Sequence, residues 1–288
     1  MSVLYIVATP IGNLEDISLR AIRVLGEVSL IAAEDTRKTS RLLARYNIKT
    51  PMTSYYEHSQ RSKLEYILER LKQEDVALVS EAGMPGLSDP GYELVTAAAE
   101  REIRVVPIPG PSAVITALVV SGLPTDRFSY LGFLPHKTTA RKRLLESAAG
   151  EPGSIVVLET PHRLRAALED IKLVLGDRRI AVCRELTKRY EEVYRGTVSQ
   201  ASQHFRTPRG EFTLVIEGKR TPKQPPMTAE IEEQLHCQYL SGATAKEAIA
   251  LIAGETGLPR KELYRTWLKL GRVWEINKNS CHSLERRE

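Results

Sequence analysis

Residues 3–25 read VLYIVATPIGNLEDISLRAIRVL, and this stretch sets the architecture of the first half of the chain. The apolar run Val3–Ala8 predicts a buried strand, and a loop with proline and glycine follows at residues 9–13. Beyond the loop, apolar side chains recur at helical spacing over Ile17–Leu25 and predict a helix. The stretch therefore predicts a strand that leads into a helix through a short, stiff loop.

The same alternation continues to about residue 120. Further apolar runs predict strands at Val28–Ala33, Met52–Tyr56, Val76–Ser80 and Ile103–Ile108. Apolar residues at helical spacing predict helices at Arg37–Tyr46, Lys63–Lys72, Tyr92–Glu100 and Ser112–Ser121. Strands that alternate with helices form a mostly parallel sheet with helices on both faces, so we predict an α/β domain over residues 1–122.

A second α/β unit follows, over residues 123–220. Its predicted elements are Ser154–Leu158, Arg163–Leu175, Ile180–Cys183, Glu191–Thr197 and Phe212–Glu217, all strands except the second. A proline-rich linker, Thr221–Pro226, leads to helices at Ala229–Tyr239, Thr244–Ala253 and Arg260–Leu270. We therefore predict two α/β domains and a small all-α, helix-turn-helix-like domain at 226–288, whose contact with RNA or with protein stays open.

The composition of the 288-residue chain is globular, with 42% hydrophobic and 27% charged residues, which excludes a disordered chain. The three cysteines are widely separated and form no CxxC pair. They predict neither a disulfide framework nor a cysteine zinc site and favour a reduced, cytoplasmic setting. The longest uncharged stretch, Val105–Thr125, contains four prolines and cannot form one membrane-spanning helix. We expect no metal site and no membrane partner.

The net charge of +5 is a modest indication of nucleic-acid binding. One basic run, between residues 127 and 146, contains no acidic residue. Its cations include Lys137, Arg141, Lys142 and Arg143. Since a solvated structural helix would have acidic partners at helical spacing, we expect these four residues to contact RNA phosphates.

Common nucleotide and hydrolase motifs (GxxxxGK[ST], GxGxxG, HExxH, GxSxG) do not occur in the sequence. The remaining signal is a set of three loops rich in proline and glycine, at residues 9–13, 81–91 and 109–112, each directly after a predicted strand. The carboxyl ends of parallel strands share one edge of the sheet, where ligands bind. The three loops therefore predict a ligand site at that edge.

Seven segments carry a resemblance to a known family: Leu4–Ala21, Ala33–Leu43, Ile108–Leu118, Gly132–Arg141, Glu159–Leu164, Arg184–Lys188 and Arg209–Gly218. Together they resemble the tetrapyrrole methylase superfamily, the class III S-adenosylmethionine (SAM) methyltransferases. The chain is most similar to the branch that methylates the ribose 2′-hydroxyl of a cytidine in the decoding region of small-subunit rRNA. One departure is SEAGMP at residues 80–85, where the family usually has Ser-Asp-Ala-Gly-Thr-Pro.

The resemblance implies two α/β domains with SAM bound in the cleft between them, and usually a homodimer. Its cofactor contacts, carried over by position, are Pro10, Gly12, Gly83, Met84, Pro85, Leu87, Ser112, Ala113, Leu158, Thr160, Leu186, Glu211, Phe212 and Thr213. These are mostly backbone groups and apolar side chains, which suit an adenine and a thioether.

Methyl transfer to a ribose hydroxyl needs in-line geometry and a base or cation near the forming alkoxide. The candidate bases are Glu34, Asp35, Glu81, Asp89 and Glu185, and the candidate cations are Arg37, Arg163, Arg184 and Lys188. We favour Glu34 as the base and Lys188 or Arg37 as a clamp on the substrate. An alternative interpretation makes Asp35 or Thr36 the N-cap of a helix, with Glu34 in solvent.

The leading hypothesis is a SAM-dependent rRNA 2′-O-methyltransferase whose partner is naked small-subunit rRNA or the assembled small ribosomal subunit. A tetrapyrrole (precorrin) methylase with the same SAM cleft is the second hypothesis. The third is a ribosome-assembly factor that binds RNA without catalysis. Methyl transfer to each acceptor would separate the three.

Overall fold

The computed structural model describes residues 2–56, 61–219 and 227–269. Its contacts divide the chain into two compact units, Met1–Arg220 and Thr221–Glu288. The larger unit contains two five-stranded sheets, and the smaller one is helical where it is described.

The first sheet is parallel throughout, with the strand order β3-β2-β4-β1-β5. Its strands are β1 (Val3–Val7), β2 (Leu30–Ala33), β3 (Met52–Ser54), β4 (Val76–Val79) and β5 (Arg104–Ile108). The helices are α1 (Leu19–Glu27), α2 (Thr36–Arg45), α3 (Arg61–Arg70), α4 (Tyr92–Glu100) and α5 (Ala113–Val120). The predicted parallel α/β pattern is thus confirmed, with element ends displaced by a few residues.

Alternate side chains of β1 enter two different apolar cores. Leu4 packs with residues of α3 and α4 on one face, whereas Val7 packs with residues of α1 and α2 on the other. Helix α5 belongs to neither core, because Val114 and Leu118 pack against the second sheet instead. A helix that follows the first sheet therefore covers the second, and the two sheets share apolar contacts.

The second sheet is mixed, with the order β6-β7-β10-β8-β9. Its strands are β6 (Phe128–Phe133), β7 (Ser154–Glu159), β8 (Arg179–Arg184), β9 (Glu192–Thr197) and β10 (Phe212–Ile216). Only the β6–β7 pair is parallel; the other pairs are antiparallel. The helices are α6 (Thr138–Ala148), α7 (Pro161–Leu175) and α8 (Val198–His204). The second α/β unit is confirmed, and β6, α6 and α8 are additions to the elements predicted for it.

The smaller unit contains α9 (Ala229–Leu240), α10 (Ala245–Thr256) and a helix at residues 260–269. Helix α10 begins with a reciprocal capping box between Thr244 and Glu247. Leu235, Ile252 and Trp267 are buried in the apolar core of the smaller unit. The predicted linker at residues 221–226 and the predicted helix end at residue 270 lie outside the described residues.

Among the described residues, no helix combines the length and the apolar character that crossing a bilayer requires.

Candidate functional site

A cavity of about 350 Å³ lies in the larger unit, at the carboxyl edge of the first sheet. The loops after β1, β4 and β5 supply one wall, and residues of β7, β8 and β10 supply another. Most of the predicted cofactor residues line it: Gly83, Met84, Leu87, Ser112, Ala113, Leu158, Thr160, Leu186, Glu211, Phe212 and Thr213. The predicted contacts Pro10, Gly12 and Pro85 do not line it.

One transverse row of the second sheet contributes three residues to the cavity. Thr213 on β10 is paired in register with Leu158 on β7 and with Cys183 on β8. Since side chains at one level of a sheet point to the same face, this row presents two apolar groups with a hydroxyl between them. The sequence resemblance provided Leu158 and Thr213, but Cys183 is recognised only from the strand order.

Gly83 acts through its backbone conformation. Its φ of +87° lies in the left-handed region that favours glycine. The N–H of Gly83 donates to Thr9 O at 2.9 Å, and the N–H of Thr9 donates to Gly83 O at 2.8 Å. Because this pair of bonds occupies the Gly83 N–H, the residue joins the loops after β1 and β4 and shapes the cavity wall.

Helix α5 begins at the cavity. Ser112 is its N-cap, and the Ser112 hydroxyl accepts from Ile115 N at 3.5 Å. Ser112 and Ala113 both line the cavity. The positive end of the helix dipole therefore faces the cavity, beside the small side chain of Ala113.

Glu34 and Asp89 are two of the five carboxylate residues that line the same cavity. Glu34 Oε2 accepts a hydrogen bond from Glu81 N at 2.9 Å, which fixes the carboxylate against the loop after β4. Burial and the nearby charge of Glu34 raise the pKa of Asp89 to about 6, against the opposing effect of a hydrogen bond from Ser80. The two carboxylates therefore lie in different environments, Glu34 held by a backbone N–H and Asp89 partly buried beside it.

Aromatic residues lie on the β6 side of the cavity. The Tyr130 hydroxyl is 2.7 Å from the Ser88 hydroxyl, and burial raises the pKa of Tyr130. Phe133 also lines the cavity, and half of its surface is exposed. Tyr130 and Phe133 therefore give this part of the cavity wall an aromatic surface.

The residues at the start of α2 have different positions and roles in the structure. Asp35 is the N-cap, accepting from Arg37 N at 2.8 Å and Lys38 N at 3.2 Å. These bonds lower the pKa of Asp35. Glu34 lines the cavity, whereas Arg37 is exposed on the first turn of the helix. The capping interpretation therefore applies to Asp35 and leaves Glu34 within the cavity.

Lys188 does not line the cavity but braces a loop beside it. Its Nζ lies 2.7 Å from Glu211 Oε2 and 3.0 Å from Glu185 Oε1. Burial acts to lower the pKa of Lys188, but the hydrogen bonds and charges of Glu211 and Glu185 outweigh burial and leave the pKa raised. The loop lies so close to Gly12 that a Cβ there would be 2.9 Å from Leu186 O. Gly12 thus permits this close approach.

The predicted basic surface on α6 requires a correction at Arg141. This side chain is buried, and its Nη2 lies 2.6 Å from Asp170 Oδ2 on α7. Lys142 Nζ is 3.6 Å from Asp170 Oδ1, whereas Lys137 and Arg143 are exposed. Arg141 is therefore withdrawn from the predicted phosphate contacts, because its charge is neutralised inside the protein.

Several cavity residues were absent from the sequence-based set: Ile11, Ala82, Val114, Glu159, Pro161 and Cys183. Ile11, Ala82 and Val114 adjoin predicted contacts in the three Pro/Gly-rich loops or at the start of α5. Glu159 is fully buried and pairs with Arg163, whose Nε is 3.0 Å from Glu159 Oε1. The positions of Ile11, Ala82 and Val114 beside predicted contacts were a sequence signal, but no such signal indicated that Glu159 is buried.

Comparisons with known proteins agree with this architecture. The sequence model of the tetrapyrrole (corrin/porphyrin) methylases matches residues 3–202. Uroporphyrin-III-C-methyltransferase from Thermus thermophilus has a TM-score of 0.53 at 18% identity, covering 75% of this chain and 94% of that chain. A diphthine synthase has a TM-score of 0.61 at 15% identity, with coverages of 76% and 90%. At these identities the two structures show the fold alone.

Two sequence relatives cover nearly the whole chain, and both are named ribosomal RNA small subunit methyltransferase I. The one from Synechocystis sp. is 46% identical over 275 residues, covering 94% of this chain and 99% of the relative. The one from Bacillus subtilis is 43% identical over 272 residues, with coverages of 92% and 93%. The chain therefore belongs to the tetrapyrrole (corrin/porphyrin) methylase family.

Proposed function

We propose that this SAM-dependent methyltransferase methylates the ribose 2′-hydroxyl of a cytidine in the decoding region of small-subunit rRNA. The names of its relatives support rRNA as the substrate class. The observation that carries the chemistry is the cavity, in which an apolar slot adjoins the carboxylates of Glu34 and Asp89. Such a site can bind a cofactor in the apolar slot, and the adjacent carboxylates can accept a proton from the substrate hydroxyl.

The residues of the cavity fit SAM, the cofactor of this family. Its volume of about 350 Å³ lies within the range of small-molecule sites. Leu87, Leu158 and Leu186 offer apolar surface for the adenine. The carboxylates along the wall complement a sulfonium charge, and the hydroxyls of Ser112 and Thr213 can bond the polar groups of the cofactor. When bound, SAM supplies an electrophilic methyl group.

Glu34 and Asp89 together form the proposed proton acceptor. Burial, together with the nearby charge of Glu34, raises the pKa of Asp89 to about 6. A base whose pKa is near neutral accepts a proton at physiological pH more effectively than an ordinary carboxylate. The hydrogen bond from Glu81 N keeps Glu34 in position.

The aromatic side of the cavity is the proposed site of the nucleobase. Bases that leave a strand are commonly stacked on aromatic side chains, and the exposed ring of Phe133 lies at the cavity wall. Lys188 and Arg37 are proposed to steady the substrate backbone, Lys188 through the loop that it braces. Lys137, Lys142 and Arg143 remain proposed phosphate contacts.

A tetrapyrrole substrate is the second candidate, favoured by the likeness of the fold to uroporphyrin-III-C-methyltransferase. Tetrapyrrole precursors carry several carboxylates, and the cavity wall already includes the carboxylates of Glu34 and Asp89. Like charges at close range repel each other, so this wall disfavours such a substrate. The third candidate, a non-catalytic assembly factor, would bind RNA without methylating it.

The proposal also includes a homodimeric state, a cytoplasmic location and a small-subunit partner, either as rRNA or in assembled form. The sequence resemblance supports the homodimer and the small-subunit partner, and the widely separated cysteines support the cytoplasmic location. Labelled SAM offered with unmethylated small subunits, naked small-subunit rRNA and a uroporphyrinogen tests the substrate class. We expect label in RNA alone. Label in the tetrapyrrole would support the second candidate, and RNA binding without label would support the third.

A further inference from the structure

Helix α2 has one apolar face and one basic face. Leu42 and Leu43 are buried, while Arg37, Arg41 and Arg45 are exposed. These arginines are four residues apart, so they form one stripe along the helix. We call Arg37, Arg41 and Arg45 the α2 ridge.

The ridge is unfavourable for the helix itself. Arg37 stands in the first turn, where the positive end of the helix dipole disfavours a cation, and its attraction to the N-cap carboxylate of Asp35 offsets part of that cost. Arg37 and Arg41, like Arg41 and Arg45, are like charges at i,i+4 spacing, which also destabilises a helix. Only Arg45, in the last turn, complements the dipole. A charge pattern that opposes local stability indicates a functional requirement.

Two arginines on neighbouring helices have an acidic partner four residues later in the sequence. Arg23 pairs with Glu27 within α1 at 2.6 Å, and Arg70, the last residue of α3, pairs with Glu74 just beyond the helix end at 2.6 Å. In the described part of the chain, the ion pairs of α2 involve Lys38, which contacts Glu81, and none of the three ridge arginines. The ridge thus presents its charge to solvent.

The location of the ridge connects it to the cavity. Glu34 lines the cavity, and α2 starts two residues later. From Arg37 to Arg45 the helix rises about 12 Å, leading away from the cavity wall. By contrast, Asp170 on α7 neutralises Arg141 and contacts Lys142 on α6. Much of the charge expected on α6 is therefore paired, whereas that on α2 is not.

We propose that the α2 ridge binds successive backbone phosphates of the RNA strand whose ribose enters the cavity. This inference rests on the proposed rRNA function. Guanidinium groups bind phosphate through two parallel hydrogen bonds, and such contacts position a strand independently of its sequence. A ridge beside the carboxylate pair would set the distance between the held phosphates and the reacting hydroxyl.

The test is the double variant Arg41→Gln/Arg45→Gln in the full chain, with binding of a naked small-subunit rRNA transcript measured at several salt concentrations. Each phosphate contact contributes about 0.7 to the slope of log K against log salt for a single strand. We expect the slope to shrink by about 1.4 and the affinity to fall about tenfold near 0.1 M salt. SAM binding reports on the integrity of the cavity and should not change.

The matched control is Arg165→Gln/Lys172→Gln on α7, which removes the same charge from two exposed positions. We expect it to keep the wild-type slope. Equal losses in both variants would overturn the proposal, because net charge alone would explain them. Failure of the wild-type protein to bind the naked transcript would also overturn it.

A loss seen with assembled subunits but not with the transcript would overturn the proposal too, since the ridge would then contact a ribosomal protein. The outcome is separable from that of the proposed function. If wild-type protein methylates no RNA but the ridge variant still loses transcript affinity and slope, the ridge is supported while the methyl-transfer proposal fails.

Discussion

Arg141 on α6 and Asp170 on α7 form a buried ion pair, with Arg141 Nη2 2.6 Å from Asp170 Oδ2. The guanidinium also donates to the carbonyl oxygens of Pro135 and His136 at 3.3 Å. Arg141 therefore fastens the loop between β6 and α6 to α7. Arg141, which the sequence predicted to contact phosphate, instead forms buried contacts that stabilise the protein.

Arg141→Met should destabilise the protein by about 3 kcal/mol, because it leaves the buried carboxylate of Asp170 without its main partner. Urea denaturation measures the free energy of unfolding. The double variant Arg141→Met/Asp170→Leu should recover much of the loss, since no charge then remains buried. A single variant with wild-type stability and a weakened RNA affinity would return Arg141 to the phosphate contacts.

Glu34→Gln should slow methyl transfer by about a hundredfold or more and weaken SAM binding far less. The amide keeps the shape of the side chain and can still accept from Glu81 N, but it cannot take a proton. Single-turnover transfer and calorimetric SAM binding separate the two effects. Unchanged turnover would remove Glu34 from the mechanism.

We expect the wild-type protein to lose activity below about pH 6, the raised pKa of Asp89. The variant Asp89→Asn should not show this loss. Protonation of Asp89 as the pH falls removes its capacity to accept a proton. The pH–rate profile at saturating SAM and RNA measures this limb. A profile with the same limb in the variant would assign it to another group.

The same substitution should raise stability at neutral pH. The folded protein binds the Asp89 proton more tightly than the unfolded chain does, because the pKa rises from 3.8 to about 6 on folding. The ionised group therefore reduces stability progressively from about pH 4 to pH 6, and the reduction is complete above that window. Because the carboxyl is partly exposed, we expect a gain of about 1 kcal/mol in Asp89→Asn at pH 7, measured by urea denaturation. A variant less stable than wild type would contradict this sign.

Ala113→Leu should lower SAM affinity at least about tenfold, because the added carbons enter the cavity beside the start of α5. The exposed Ala166 on α7 provides the matched control, Ala166→Leu, which should bind SAM normally. Calorimetry measures both affinities, and thermal denaturation checks that each variant folds. Wild-type affinity in Ala113→Leu would place the cofactor elsewhere.

The fold was largely predictable because its strands are apolar and its helices amphipathic. Val76–Val79 is buried throughout, and such runs are visible without any partner. Helix α8 was missed because only Val198 and Ala201 of its seven residues are buried, too few to establish a period. Its capping box, Thr197 with Gln200, was the available signal.

The site was predictable where single loops supply it. The loops after β1, β4 and β5 are recognisable in the sequence from their proline and glycine residues. The row Leu158–Thr213–Cys183, by contrast, depends on the order of strands that are distant in sequence. The Arg141–Asp170 pair joins residues 29 positions apart, so the sequence around Arg141 shows an excess of charge. Long-range partners decide which cations face solvent.

The most direct test of the central claim locates the transferred methyl group. Unmethylated small subunits and naked small-subunit rRNA are incubated with labelled SAM, and the RNA is then hydrolysed in alkali. A 2′-O-methyl group removes the hydroxyl that alkaline cleavage requires at its own linkage. The proposed function predicts label in one alkali-resistant dinucleotide that begins with cytidine. Label released as a mononucleotide would mean methylation of a base and would contradict the proposal.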